Sequence, residues 1–210
     1  MNDRASTVKR NMTKAQQTRD RILGVASRQA TIRGFSAVSL ADIAGVVGLS
    51  KSAVFKHFGA KDALQLAVVE RLVRDFTGMV WRPARQLPPG RQRLDLIFDR
   101  WLAWVDGEDG EGGCGLVQAQ IEFDDQPGAI REYLKVQLTR WNLVLVREFG
   151  ALMGDSTATD QAQQAAFEFT SLVLGYNQSR RLLNERVSRM RADRAYASII
   201  TRLSAPTLSG

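Results

Sequence analysis

The sequence predicts an all-α protein, on three observations. Apolar residues recur at three- and four-residue spacing through most of the chain. No alternation of useful length marks a strand. Glycine and proline stops cut the chain into helix-sized pieces, with no internal repeat.

Each element follows from local signals. From Lys14, Ile22, Leu23, Ala26 and Ala30 share one helical face, and Gly34 is the expected stop. Ser39 with Asp42 three residues on is an N-terminal cap signature for a second helix, which Gly48 ends. Ser50 caps a third, "KSAVFKHF", and Gly59 breaks it. A long helix resumes at "AKDALQLAVVERLVRDF", with Leu64, Ala67, Val68 and Leu72 inward. "LPPG" (87–90) is a clear break. Residues 91–105 then carry Leu94, Ile97, Phe98, Trp101, Leu102 and Val105 at helical spacing. "DGEDGEGGCG" (106–115) holds five glycines and four acids and reads as a mobile loop. A helix through "LVQAQIEF" ends near Pro127. Helices over 128–149, 161–183 and 188–204 complete the chain.

Charge is divided unevenly. Residues 1–75 hold 13 Lys/Arg against 6 Asp/Glu, while residues 76–210 hold 16 of each. The whole excess of +7 sits in the first third. A basic module on a neutral body suggests a polyanion partner for that module alone. A solvated basic surface is the plainer alternative.

Residues 40–58, "LADIAGVVGLSKSAVFKHF", have the form of a helix-turn-helix: two short helices and a tight glycine-containing link. Leu40, Ile43, Val47, Leu49, Val54 and Phe58 can form the shared core. Ala44, Gly45 and Gly48 let the helices approach. Lys51, Ser52, Phe55, Lys56 and His57 are left to face outward. Such a second helix lies in the major groove of duplex DNA. Its Ser50-capped N-terminus offers free backbone N–H groups to a phosphate. A helical corner in an ordinary bundle is the competing reading.

Residues 22–64 resemble the N-terminal domain of TetR-family transcriptional regulators. The shared pattern falls on Ile22 and Leu23, Gly34 and Phe35, Ser39, Asp42 to Ala44, Gly48 to Ser50, Phe55 to Phe58, and Lys61. Four positions depart: Gln29 and Ala30 replace a usual Leu-Phe, Phe55 replaces a tyrosine, and Ser52 stands where glycine is common. The resemblance implies phosphate contacts for Ser39, Lys51, His57 and Lys61, which position without reading sequence. Ser52, Ala53 and Lys56 are then candidates for base edges. The Phe55 ring can meet sugar or a thymine methyl.

The resemblance implies the organisation too. Residues 1–13 form a disordered basic arm, 14–62 the DNA-binding domain with its motif at about 39–58, 63–204 a ligand-binding and dimerisation domain, and 205–210 a tail. Specific reading needs two heads about one helical turn apart, roughly 34–36 Å, on a palindromic or near-palindromic operator. A homodimer follows, paired through its last two helices. Phe169, Leu172, Val173, Tyr176, Tyr196, Ile199, Ile200 and Leu203 are the candidates for that interface, or else internal core. A small-molecule effector of unknown identity is expected between the middle helices, with Phe98, Trp101, Trp104, Phe123, Trp141 and Tyr176 as candidate lining. Glu122 and Asp124 could hold a cationic ligand. The implied activity is a repressor that the effector releases from its operator.

Enzyme chemistry lacks its parts. The one histidine and the one cysteine are far apart in sequence, and no glycine-rich phosphate loop follows a strand. Nothing suggests a metal, a cofactor or a membrane partner. A single cysteine, no apolar run of membrane length and no apolar leader at the start favour a reduced, cytoplasmic setting. Cys114 is a weak redox candidate, since neighbouring acids would raise its pKa. A protein–protein adaptor that kept the fold is the main non-DNA alternative, and steep salt dependence of DNA binding would separate the two.

Overall fold

Thr13 starts the first helix with a reciprocal cap. Its hydroxyl accepts from Gln16 N–H at 3.2 Å, and the Gln16 side chain accepts from Thr13 N–H at 2.8 Å. The computed structural model describes residues 13–107, 113–154 and 159–204. Among them lie nine α-helices and no strand: α1 (Lys14–Arg33), α2 (Leu40–Val47), α3 (Lys51–Phe58), α4 (Lys61–Phe76), α5 (Arg91–Asp106), α6 (Gly115–Phe123), α7 (Ala129–Leu152), α8 (Asp160–Arg181) and α9 (Ser188–Ser204). The expectations of an N-terminal arm and a C-terminal tail fall almost wholly outside the described residues, as do residues 108–112 of the expected mobile loop; of its described part, Asp106 ends α5, Cys114 is buried and Gly115 opens α6.

The helix stops work as local chemistry dictates. Ser39, Ser50 and Thr159 each accept the backbone N–H three residues on. Gly48 closes α2 at φ +66°, a left-handed conformation that costs glycine nothing. After α4 the chain runs through a π turn, Thr77–Trp81, and a short α segment, Arg82–Ala84. Pro83 has no N–H for the preceding turn, and its ring crowds the carbonyl four residues back, which accounts for the widened turn.

Two cores hold the molecule together. The first, the head, joins α1–α3 with Leu64 to Leu72 of α4. It also takes Ala119 and Phe123 from α6 and Ile130 and Leu134 from α7. The second, the body, is built on rings: Phe98 stacks on Tyr196 at 4.3 Å, and Phe169 meets Trp101, Phe149 and Tyr196 within 6 Å. Apolar packing therefore does not part at residue 62. The head core includes half of α4 and parts of α6 and α7.

Gly115 marks the tightest joint between the two. A Cβ there would come within 2.7 Å of Thr31 Oγ1 and 3.1 Å of Leu72 Cδ1. Only glycine lets α6 start this close to α1 and α4. The body has its own clasp: Glu148, 4% exposed, accepts from Arg93 at 2.6 Å and from Gly90 N–H at 3.0 Å. Arg93 also donates to the Leu87 carbonyl, closing the 87–90 break.

Candidate functional site

The second helix of the helix-turn-helix presents a basic, partly aromatic face. Lys51, Ser52, Phe55 and Lys56 are exposed, Phe55 to 53%, while Ala53 and His57 are half-buried. Val54 and Phe58 turn inward with Ile43 and Val47, as the periodicity predicts, and Leu40 and Leu49 pack at the edge. The spacing role expected of the small residues is corrected in part. Ala44 is buried, but Gly45 is exposed with no atom within 4 Å of a would-be Cβ. Gly48 is needed for its backbone angle, not for close approach.

Several hydroxyls and cations on this face already have work. Ser50 Oγ accepts from Ala53 N–H at 3.1 Å and lies 3.0 Å from Ser52 Oγ. Ser39 Oγ is bonded to Asp42 through both backbone and carboxylate. Lys61 Nζ donates to the Ser36 carbonyl at 3.0 Å while remaining exposed.

Two arginines missed by sequence reasoning orient the motif. Arg21 of α1 donates to the Val47 carbonyl at 2.9 Å, at the end of α2. Arg19 donates to the His57 carbonyl, at the end of α3, and its guanidinium lies 4.2 Å from the Phe58 ring centroid. Each cation satisfies a carbonyl at a helix C-terminus, where the dipole favours positive charge. Nothing in a one-dimensional pattern pairs residues 26 and 38 positions apart.

Glu122 is the second residue whose role only the fold reveals. Read from sequence as a possible clamp for a cationic ligand, it instead accepts from Phe35 N–H at 2.7 Å, Ser36 N–H at 2.6 Å and the Ser36 hydroxyl. Gln65 of α4 donates to the Phe35 carbonyl at 2.6 Å. The Phe35–Ser36 turn, just before α2, is therefore held from α6 and α4 together. Asp124 is exposed, and its backbone carbonyl accepts from Arg131 at 2.6 Å.

The body contains a cavity of about 370 Å³ between α4, the π turn and α5–α8. Its walls include Phe76, Trp81, Trp101, Trp141, Val117 and Leu134, with Gln120, Gln137, Asn142, Thr170 and Arg140 as polar members. Of the six residues predicted as lining, Trp101 and Trp141 line it and four do not. Phe98 is stacked in the core, and Phe123 belongs to the head, edge-on to Phe35 at 5.5 Å. Trp104 Nε1 donates to Cys114 Sγ at 3.3 Å. The Tyr176 hydroxyl donates to Asp106 at 3.0 Å, and burial with that carboxylate pushes its pKa up to about 12. The Trp141 indole N–H is buried without a hydrogen-bond acceptor.

Cys114 also touches the cavity wall. It precedes α6 and is 5% exposed, so burial rather than neighbouring acids pushes its thiol pKa up. That placement shields it and speaks against a redox sensor.

The predicted interface residues lie mostly inside a single chain. Phe169, Val173, Tyr176, Tyr196, Ile199 and Ile200 are buried in the body core, and Leu172 and Leu203 are half-buried against it. The apolar residues that α8 leaves exposed are Phe167 and Leu174, followed by Leu182 just past its end. Val187, just before α9, and Met190 in its first turn are exposed as well. No group of three metal-ligating side chains occurs among the described residues, and no helix there is long and apolar enough to cross a membrane.

Known proteins share both halves. Residues 22–68 match the model of bacterial regulatory proteins of the tetR family, and residues 90–196, just over half of the chain, match a tetracyclin repressor-like C-terminal domain. An HTH-type transcriptional activator, FasR of Mycolicibacterium smegmatis, is 29% identical over 96 residues, 46% of this chain and 44% of its own length. The chain thus matches less than half the length of that curated relative. A TetR transcriptional regulator from Chloroflexus aurantiacus has the same fold at 21% identity, with a TM-score of 0.75 over 92% of this chain and 97% of its own. So does AibR, solved with isovaleryl coenzyme A and operator DNA, at 18% identity and a TM-score of 0.70 over 86% and 96%. A capped two-helix motif on a basic head, joined to a cavity-bearing helical body and matched by family models along both, makes this chain a member of the TetR family of DNA-binding transcriptional regulators.

Proposed function

We propose that two copies of this chain bind a palindromic or near-palindromic operator as a repressor, and that a small molecule in the body cavity releases them. The observation that carries the reading is α3, whose exposed Lys51, Ser52, Phe55 and Lys56 stand on a rigid, doubly capped corner. Lys51, Lys61 and His57 hold phosphates, with the backbone at Ser39 and Ser50. Ser52, Ala53 and Lys56 read base edges. A protein acting on bacterial DNA works in the cytoplasm.

The dimer forms through the faces of α8 and α9 that a single chain leaves open. Phe167 of α8 and Leu182 just past its end leave apolar surface that water disfavours and a second copy covers, with Leu174 between them also lining the cavity. Pairing there sets the distance between the two α3 helices.

Release works through α6. Leu116, Val117 and Gln120 line the cavity, while Glu122 grips the Phe35–Ser36 turn. An occupant that prefers a displaced α6 shifts the population away from the DNA-binding arrangement. A preference of about 1–3 kcal/mol changes operator affinity some 5–150-fold.

AibR was solved with both a small molecule and operator DNA, which is the arrangement proposed here. FasR is named an activator, so the sign of regulation needs its own test. A genome-wide footprint identifies the operator, and transcription in vitro from that promoter gives the sign. Repression predicts less transcript as protein is added. More transcript would make the protein an activator.

A further inference from the structure

We infer that the body cavity selects a ring-bearing carboxylic acid, with Arg140 as the residue that recognises its carboxylate. This rests on the reading of the cavity as an effector site and names the chemistry of what enters it.

Three features of the wall carry the inference. The interior is aromatic. Phe76, Trp81 and Trp101 each meet Trp141 nearly edge-on, with centroids 5.2–6.1 Å apart. Such a box takes a flat or branched apolar body through contact area. Its volume, about 370 Å³, suits a small ligand rather than a long chain.

Charge then selects among apolar ligands. Among the described residues, Arg140 is the one charged side chain lining the cavity, and no carboxylate lines it. Arg140 is exposed and has no ion pair among the described residues. Aromatic walls alone would also attract an organic cation. Here such a cation would meet Arg140 with no counter-charge among the described lining residues, so the balance favours an anion. A guanidinium fits a carboxylate with two parallel hydrogen bonds, and Gln137 and Asn142 of the same helix add amide donors to the wall.

The test is calorimetric titration of the full chain with three probes of one shape: 2-naphthylacetate, 2-(2-naphthyl)ethanol and 2-(2-naphthyl)ethylammonium. The acid is expected to bind roughly fivefold tighter than the alcohol, the modest margin reflecting an exposed arginine. The ammonium should bind weakest. Arg140→Gln should bring acid and alcohol level with little change in the unfolding temperature, since that side chain is exposed and makes no ion pair among the described residues. Raising the salt should shrink the acid's margin. Equal or tighter binding of the alcohol or ammonium, or an acid preference that survives Arg140→Gln, overturns the inference while leaving the cavity reading intact. If none of the three binds at millimolar concentration, the cavity reading fails and the inference with it. An acid that binds as described but leaves DNA binding unchanged supports the inference and removes release by effector instead.

Discussion

Head and body are both helical, yet they are assembled by different rules. The head's α2 and α3 are eight residues each, far too short to persist alone. They exist because a serine caps each start, a glycine stops each end and two arginines from α1 satisfy carbonyls at their ends. The body's helices reach 24 residues and are held by interlocking rings. The starts and stops of the head's helices are specified by adjacent residues, while the clasps of the head and the packing of the body are set by distant ones. That difference separates what a single sequence can disclose from what it cannot.

The sharpest break of this comparison lies within one helix. Phe169 is fully buried and Phe167, two residues earlier, is 67% exposed. Phe169→Ala should cost about 3–5 kcal/mol in urea unfolding through lost burial and a cavity among the rings. Phe167→Ala should change chain stability by no more than about 0.5 kcal/mol. It should instead weaken self-association by roughly tenfold or more, read by sedimentation over a dilution series. Reversed effects would return Phe169 to the interface and take the body core apart.

The contact between head and body is the next point of attack. Glu122→Ala strands the Phe35 and Ser36 N–H groups and should cost about 1–3 kcal/mol. With release running through α6, the same substitution should also uncouple the cavity. A ligand would still bind the body, by calorimetry, yet release DNA less completely. Full release by ligand in a folded Glu122→Ala protein would mean that coupling does not run through the Glu122 contact.

Legibility followed the same division. Helix starts at Ser39 and Ser50, stops at Gly34, Gly48 and Gly59, and the inward set of Ile43, Val47, Val54 and Phe58 could be read because each depends on neighbours within four residues. The aromatic residues could not be sorted. Phe98, Trp101 and Trp104 share a helix and a composition, yet one is stacked core, one lines the cavity and one donates to a thiol. What decides among them is the set of rings arriving from α7, α8 and α9. The same applies to Glu122, whose partners lie 86 and 87 residues away, and to Arg19, 38 residues from its carbonyl.

Electrostatics gives a smaller but diagnostic effect on the head alone. Lys51→Ala with Lys61→Ala should lower affinity for every duplex tested and reduce the slope of log K against log salt by about 2, one counterion for each phosphate contact. Lys56→Ala or Ser52→Ala should change preference between sequences instead. An unchanged slope in the double variant would place the phosphate-binding surface elsewhere.

The smallest effects test the turn that makes the head possible. Gly45 and Gly48 are three residues apart and look alike in sequence. Gly48 has φ +66°, where an L side chain is strained, so Gly48→Ala should destabilise by about 1–2 kcal/mol. Gly45 is helical and open, with nothing within 4 Å of a new Cβ, so Gly45→Ala should stabilise by about 0.5–1 kcal/mol through helix propensity. Both shifts are readable in thermal unfolding at one protein concentration. If small size at both positions were what lets α2 and α3 approach, both variants would lose stability and both would lose DNA binding. Opposite signs tie the requirement to one backbone angle, the one that sets α3 against α2.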